Sequence, residues 1–368
     1  MGIKLGEKIL MMGNEAIAEA AIRAGCSAYF GYPITPQNEL IGYMAKHMLK
    51  RGRIFIQAES EVAAVNMVYG ASTAGARAMT SSSSPGISLK QEGISYAAGA
   101  DVPMVIVNVM RGGPGLGSIS PSQSDYFQAT RGGGHGDYRC IVLAPKSVQE
   151  CADLTYLAFD LSDEYRMPAL ILADGLIGQM MEAVVLPPER NLDELPPRDW
   201  TVGNMGSRRA ARHITSLELD VDTIDERNAA RFRRYETLAK KETRFEILGD
   251  ENECELVLVA FGTSARVAQG AMHLARKDGG EKKLAVFRPI TLFPFPSAQL
   301  ASFAAGKPVL TVEMSCGQLV EDVKLAFYGS KNLEGRKNVH LLSHSGGAVP
   351  TEEEVYEKVK AILGERHG

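Results

Sequence analysis

The chain has only five cysteines, and none lies in a Cys-x-x-Cys pair. Their number is odd and their spacing wide, at Cys26, Cys140, Cys151, Cys254 and Cys316, so no disulfide framework is implied. A reducing cytoplasmic location fits this usage best. The spacing also argues against a cysteine cluster that could hold zinc or an iron–sulfur centre.

An excess of positive charge and a long apolar run are also absent. The formal net charge is -4 and the isoelectric point is near 6.0, so no surplus of cations is available to neutralise nucleic-acid phosphates. No apolar run is long enough to span a bilayer, and the first residues lack a signal-peptide core. We expect neither a nucleic-acid nor a membrane role.

What the chain does contain is typical of a globular α/β protein. It has 368 residues, 45% of them hydrophobic and 23% charged, enough for two domains with cores of their own. Residues 1–186 alternate short apolar strands with helices, which predicts a mostly parallel sheet covered on both faces. Residues 187–250 are rich in proline and charge and are interpreted as a connector. Regular alternation resumes in 251–368, a second and smaller parallel-sheet domain.

Three polar side chains follow predicted strands at the point where each strand ends. Thr35 lies in a proline-bracketed turn, Glu59 follows the next strand along the chain, and Arg111 follows the apolar run 102–110. In a parallel sheet the carboxyl ends of the strands meet in one crevice, where ligands bind. A guanidinium can clamp a carboxylate, and a carboxylate near an apolar crevice can transfer protons.

Simpler structural roles explain these residues about as well when spacing alone is considered. Glu59, like Glu61 and Glu15, could favour the first turn of a helix, and Thr35 could cap a helix that begins at Pro36. Arg111 could form a surface salt bridge.

Three loops add weaker signals. The serine-rich turn 80–86 could line a polar pocket or be an ordinary loop. The glycine-rich loop 112–117 fits neither Walker A nor Gly-x-Gly-x-x-Gly. His135, within the glycine-rich loop 131–137, could titrate usefully, although a lone histidine in such a loop is more often merely exposed.

Together these motifs resemble one family, the alpha subunits of 2-oxoacid:ferredoxin oxidoreductases of the 2-oxoisovalerate or 2-oxoglutarate type. The matching segments are 13–16, 32–36, 57–61, 82–86, 108–114 and 313–318. Each motif is weak alone, the set is specific, and the resemblance covers almost the whole chain. It implies a thiamine diphosphate pyrimidine-binding domain followed by a transketolase C-terminal-like domain.

The resemblance also implies an activity and roles for individual residues. A 2-oxo acid would be decarboxylated on thiamine diphosphate, its electrons would pass to ferredoxin, and coenzyme A would take the acyl group. Glu59 matches the carboxylate that bonds the aminopyrimidine ring, and Pro33 and Ile34 would bring backbone near that ring. Thr35 and Arg111 match the residues that hold the 2-oxo acid.

The sequence lacks the Gly-Asp-Gly motif with which thiamine enzymes usually bind the diphosphate through Mg. The resemblance therefore implies a beta subunit that supplies the diphosphate site, the Mg and an iron–sulfur cluster. Gamma and delta subunits are further candidate partners. Two alternatives stay open: half of a different thiamine diphosphate-dependent decarboxylase or transferase, and a non-catalytic scaffold subunit.

Overall fold

The structure is a computed structural model that describes residues 6–203, 212–250, 252–277, 283–328 and 338–364. Its strands are β1 Lys8–Met12, β2 Ala28–Gly31, β3 Ile54–Gln57, β4 Ala78–Ser82, β5 Val105–Met110, β6 Ile141–Leu143, β7 Ala169–Asp174, β8 Met181–Val185, β9 Phe245–Leu248, β10 Leu256–Val259, β11 Leu284–Pro289, β12 Thr291–Phe293, β13 Val309–Glu313 and β14 Val339–Ser343. Its helices are α1 Gly13–Arg23, α2 Asn38–Met48, α3 Glu61–Thr73, α4 Ser84–Gly99, α5 Tyr126–Arg131, α6 Val148–Tyr165, α7 Gly175–Gln179, α8 Val221–Glu242, α9 Gly262–Lys277, α10 Ser297–Phe303, α11 Leu319–Ala326 and α12 Glu352–Gly364.

The first sheet has the strand order β12-β6-β7-β5-β4-β2-β3. All its neighbouring strands are parallel except β12, which runs antiparallel to β6. Strand β5 lies near the middle and every one of its residues is buried, as its continuous apolar sequence predicts for a sheet covered on both faces. The predicted parallel α/β architecture is confirmed.

Two apolar layers cover the faces of the first sheet. Helices α1, α2 and α6 pack on one face, and α3 and α4 pack on the other. The second of these layers continues into the other domain through Phe261, Phe287 and Leu319. The two sheets therefore share a core cluster.

The second sheet has the order β14-β13-β10-β11-β9, parallel except for β9. Strand β9 falls inside the segment interpreted as a connector, and so does the 22-residue helix α8. The structure thus gives part of 187–250 regular elements, while residues 204–211 lie outside the described ranges.

Several elements differ from the sequence interpretation. Residues 8–12 form a strand that pairs antiparallel with β8, and α1 begins directly after it at Gly13. Helix α2 begins at Asn38 with Gln37 at the capping position, so Thr35 does not cap it. Within the described ranges, no helix has both the length and the apolar content needed to cross a membrane.

Candidate active site

The carboxyl ends of four parallel strands form one edge of the first sheet. Gly31 at the end of β2 pairs with Gln57 at the end of β3, and Ser82 at the end of β4 pairs with Asn108 in β5. The turn containing Thr35, the segment containing Glu59 and the loop that begins at Arg111 all follow from this edge. The sequence argument for a common crevice therefore has its geometric basis.

The structure brings Thr35 and Arg111 together. Arg111 Nη1 donates to the Thr35 carbonyl oxygen at 2.9 Å, and Nη2 donates to the Leu116 carbonyl oxygen at 3.0 Å. Arg111 is 7% exposed, its Nε has no hydrogen-bond partner, and among the described residues no carboxylate lies within salt-bridge distance of it. A buried guanidinium that meets only carbonyls keeps its charge available for an anion.

A second set of hydrogen bonds holds the backbone at Arg111. The Ser84 hydroxyl accepts from the Arg111 amide at 3.0 Å and donates to Asp125 Oδ2 at 2.6 Å. Asn108 Nδ2 donates to the same Asp125 oxygen at 2.8 Å. Burial raises the pKa of Asp125, although these two hydrogen bonds oppose the rise. No sequence motif indicated this role for Asp125.

The turn that carries Thr35 is fixed by buried amides. Asn14 Nδ2 donates to the Pro36 carbonyl oxygen at 2.8 Å, and Gln37 Nε2 donates to the Tyr32 carbonyl oxygen at 3.3 Å. Ser81 in turn donates to Gln37 Oε1 at 2.6 Å. The Thr35 hydroxyl accepts from Asn38 Nδ2 at 3.2 Å, which leaves its own proton free to donate.

Glu59 is not hydrogen-bonded to this pair. It is exposed, and helix α3 begins two residues later, with the Ser60 hydroxyl accepting from the Ala63 amide at 3.2 Å. Glu59 therefore does not stand in the first helical turn, contrary to the capping interpretation. Pro33 is also exposed and Ile34 is half-buried.

Glu61, which does stand in that first turn, points into the crevice. It is 6% exposed, and its Oε1 lies 2.6 Å from the position that a β-carbon on Gly86 would occupy. The Ser82 hydroxyl lies 2.0 Å from the same position. Only glycine allows this approach. The hydroxyls of Ser82 and Ser83 are buried and have no hydrogen-bond partner, so this corner offers unused polar groups.

The remaining sequence candidates lie elsewhere or act indirectly. His135 lies away from the Arg111 end of α4. The Ser95 hydroxyl donates to the His135 carbonyl oxygen at 2.9 Å. Ser95 stands eleven residues along α4 from Ser84, which is about 16 Å at the helical rise. The glycine-rich loop after Arg111 touches the second domain, where Ser118 donates to the Gly346 carbonyl oxygen at 3.0 Å.

Comparison with known families identifies this arrangement. The model described as pyruvate flavodoxin/ferredoxin oxidoreductase, thiamine diphosphate-binding, matches residues 19–243. The model of pyruvate:ferredoxin oxidoreductase core domain II matches residues 254–355. The chain belongs to the 2-oxoacid:ferredoxin oxidoreductase family. Its first domain is the thiamine diphosphate-binding domain of that family.

Among curated relatives, the ketoisovalerate oxidoreductase subunit VorB of Methanothermobacter marburgensis is 48% identical over 97% of this chain and 98% of its own length. The 2-oxoglutarate synthase subunit KorA of Archaeoglobus fulgidus is 39% identical, over 86% of this chain and 91% of its own.

Among solved structures, the 2-oxoglutarate:ferredoxin oxidoreductase of Magnetococcus marinus, with 2-oxoglutarate, coenzyme A and succinyl-CoA bound, matches with a TM-score of 0.85 and 28% identity. The match covers 97% of this chain but 65% of that one. A split-gene transketolase matches at a TM-score of 0.59 with 13% identity and 96% coverage of this chain and 98% of that one, which shows the shared fold alone.

Proposed function

We propose that this chain is the alpha subunit of an oxidoreductase that decarboxylates a 2-oxo acid oxidatively, forms an acyl-CoA and passes electrons to ferredoxin. The observation that carries the proposal is the buried Arg111 guanidinium, which has no carboxylate partner among the described residues and is joined to Thr35 at the strand ends. Family membership and the names of the relatives support it.

In this proposal Arg111 and Thr35 hold the substrate. The guanidinium would bind the carboxylate that every 2-oxo acid carries, because its Nε is buried and unpartnered. The Thr35 hydroxyl would donate its proton to the 2-oxo oxygen, since Asn38 already uses it as an acceptor. The two groups would orient the acid for attack at the 2-oxo carbon.

The corner formed by Glu61, Gly86 and Ser82 fits an aminopyrimidine ring. It provides a recessed carboxylate, an unpartnered buried hydroxyl and a glycine that lets both side chains approach the backbone of α4. When bound, thiamine diphosphate would supply a nucleophilic carbon and an electron sink. The carboxylate of this chain would hold a proton shared with the ring nitrogen.

Two carboxylates compete for that role. The family motif suggests Glu59, whereas burial favours Glu61, because proton sharing with a ring requires a partly desolvated carboxyl. We expect Glu61→Gln in the assembled enzyme to lower kcat by at least about 100-fold, the usual scale for acid–base catalysis. Glu59→Gln is the matched variant. A large loss of kcat in Glu59→Gln with little loss in Glu61→Gln would return the role to Glu59. Pro33 and Ile34 remain candidates for backbone contact with the ring.

The proposal includes a beta subunit that completes the site. No cluster of histidine, cysteine, aspartate and glutamate able to hold a metal occurs in the part of the chain that the structure describes. Strand β3 is an edge strand with Ile54 and Ile56 exposed, and Val62 is exposed at the start of α3. An apolar edge of this kind fits a partner subunit. We expect that subunit to carry the Mg–diphosphate site and an iron–sulfur cluster, and gamma and delta subunits are further candidate partners.

The proposed substrate is 2-oxoisovalerate, with 2-oxoglutarate as the runner-up. The two relatives named for ketoisovalerate are 48% and 46% identical to this chain. The relatives named for 2-oxoglutarate are 39% identical or less. Leu116 and Ile119 are exposed on the loop after Arg111, an apolar surface suited to a branched side chain.

The decisive experiment is ferredoxin reduction by the co-purified complex in the presence of coenzyme A, with pyruvate, 2-oxoisovalerate and 2-oxoglutarate compared at equal concentration. We expect the highest kcat/KM with 2-oxoisovalerate. A higher value with 2-oxoglutarate would correct the substrate, and no reduction with any 2-oxo acid would refute the proposed function.

A further inference from the structure

The glycine-rich loop after Arg111 is closed by its own backbone. The Gly112 amide donates to the Ser120 carbonyl oxygen at 2.9 Å, and the Ser118 amide donates to the Gly112 carbonyl oxygen at 2.7 Å. The Arg111 guanidinium donates to the Leu116 carbonyl oxygen inside this closed loop. The path of the loop therefore sets where the guanidinium stands.

A turn of the second domain lies against this loop. Gly346 and Gly347 form the turn shortly after β14, and both have positive φ, 65° and 115°. The Ser118 hydroxyl donates to the Gly346 carbonyl oxygen at 3.0 Å. A β-carbon on Gly112 would lie 2.6 Å from the Gly346 carbonyl carbon. A β-carbon on Gly347 would lie 2.4 Å from the Ser120 β-carbon. Both separations are too short for real β-carbons, so this approach requires glycine on both sides.

The second domain also holds the chain beyond the loop. Gln318 Nε2 donates to the Ser124 carbonyl oxygen at 2.6 Å, and Gln318 Oε1 accepts from the Phe127 amide at 2.8 Å. These two hydrogen bonds flank Asp125, which accepts from the hydroxyl that holds the Arg111 amide. The second domain is thus linked to both the side chain and the backbone of Arg111.

We propose that the second domain positions the Arg111 guanidinium for the substrate, with Gly347 as the positioning residue that fixes the path of the loop. This inference rests on the proposed role of Arg111 in binding the 2-oxo acid carboxylate. A guanidinium clamps a carboxylate by two hydrogen bonds only in a defined orientation. A shift of about 1 Å caused by a residue far from the chemistry can cost about 100-fold in rate. A side chain at position 347 would displace Ser120 and, with it, the loop that holds the guanidinium.

Steady-state kinetics of Gly347→Ala in the co-purified complex tests the proposal, with the 2-oxo acid that gives the wild type its highest kcat/KM. We expect KM to rise by about 3- to 30-fold while kcat changes by less than about threefold, the pattern that follows when binding common to the ground and transition states is lost. Gly306→Ala is the matched control, because Gly306 also has a positive φ, 73°, but its β-carbon would meet open space. KM should be unchanged in Gly306→Ala, and an unchanged KM in Gly347→Ala would overturn the inference.

Two double variants separate positioning from a general loss of structure. Ser120→Gly removes the β-carbon that Gly347→Ala would meet, so combining the two should restore most of the wild-type KM. A KM that stays raised would assign the effect to the backbone of the turn and overturn the inference. In the Arg111→Met background, Gly347→Ala should raise KM by less than about a further twofold, because residues that act through one network are not additive. A full further rise would show that the turn acts independently of Arg111, which would also overturn it.

Gln318→Met covers the case in which Gly347→Ala does not assemble. The variant keeps a similar volume and loses both hydrogen bonds beside Asp125. We expect a rise in KM, whereas Gln299→Met, at an exposed glutamine of α10, should have the wild-type KM; equal KM values in the two variants would overturn the inference. An unchanged KM in Arg111→Met would instead refute the proposed role of Arg111, so the two failures are distinguishable.

Discussion

Replacement of the buried Lys90 by methionine should make the fold more stable at pH 7. Burial lowers the pKa of Lys90 from 10.5 to about 8. At about 1.36 kcal/mol per pH unit, this difference corresponds to about 3 kcal/mol that the charged lysine costs in the folded state. The attraction of Glu61 is already contained in this pKa, and any packing lost with the lysine side chain reduces the gain, so about 3 kcal/mol is its upper limit.

The sign of the pH dependence follows from proton binding. Between about pH 8 and 10.5 the unfolded chain keeps the Lys90 proton and the folded chain has released it, so wild-type stability rises with pH across this window. Below pH 8 the cost is present in full. The stability advantage of Lys90→Met should therefore be largest at pH 7 and should shrink as the pH approaches 10.

Thermal and urea unfolding of the full-length chain at pH 7, 8, 9 and 10 measures this advantage directly. Lys50→Met, which removes an exposed charge, should change stability by less than about 0.5 kcal/mol at every pH. A Lys90→Met variant that is less stable than the wild type at pH 7, or whose difference does not change with pH, would show that Lys90 is not held as a buried cation.

Four further predictions follow from the site. Gly86→Ala should lower the free energy of unfolding by about 1–3 kcal/mol, since its β-carbon would lie 2.0 Å from the Ser82 hydroxyl; an unchanged Tm would contradict the close approach. Arg111→Met should raise KM for the 2-oxo acid by about 10- to 100-fold, the range that a charged hydrogen bond supports, and an unchanged KM would exclude Arg111 as the carboxylate ligand. Asp125→Asn should stabilise the fold at pH 7, because burial raises the pKa of the Asp125 carboxyl and a single oxygen, which asparagine can also supply, accepts both hydrogen bonds. By linkage this gain should disappear below about pH 4. Unfolding measured at pH 7 and below about pH 4 tests this prediction. The lone chain should bind thiamine diphosphate and Mg weakly in calorimetric titration, and tight binding would contradict a shared site.

Much of the fold could be predicted from the sequence because its strands are short apolar runs separated by clear helical periods. The apolar run 102–110 predicted β5, and the resumed alternation after residue 254 predicted β10 and α9. Strands β1, β8, β9 and β12 were missed. They lie at sheet edges or in a separate two-stranded sheet, where one exposed face removes the continuous apolar signal.

The site was predictable in part. The proximity of Arg111 and Thr35 could be predicted because each follows a strand end, a local feature of sequence. Lys90 and Asp125 were not found, because their burial arises from packing between elements distant in the chain. One local signal was available for Lys90. It stands on one helix face with Gly86, Ile87, Gly93 and Ile94, and a lone cation on a face of glycine and isoleucine is unusual.

The pairing of β12 with β6 has a consequence for how the chain must be made. Thr291 and Phe293 complete an edge of a sheet whose other strands all precede residue 175. A nascent chain that has released only the first domain exposes the unpaired edge of β6, and such edges invite association with other chains. The first sheet gains its last strand, β12, only when residue 293 has left the ribosome. A gene cut between the two family-matched regions would therefore separate a strand from its sheet, and its products would need each other to fold.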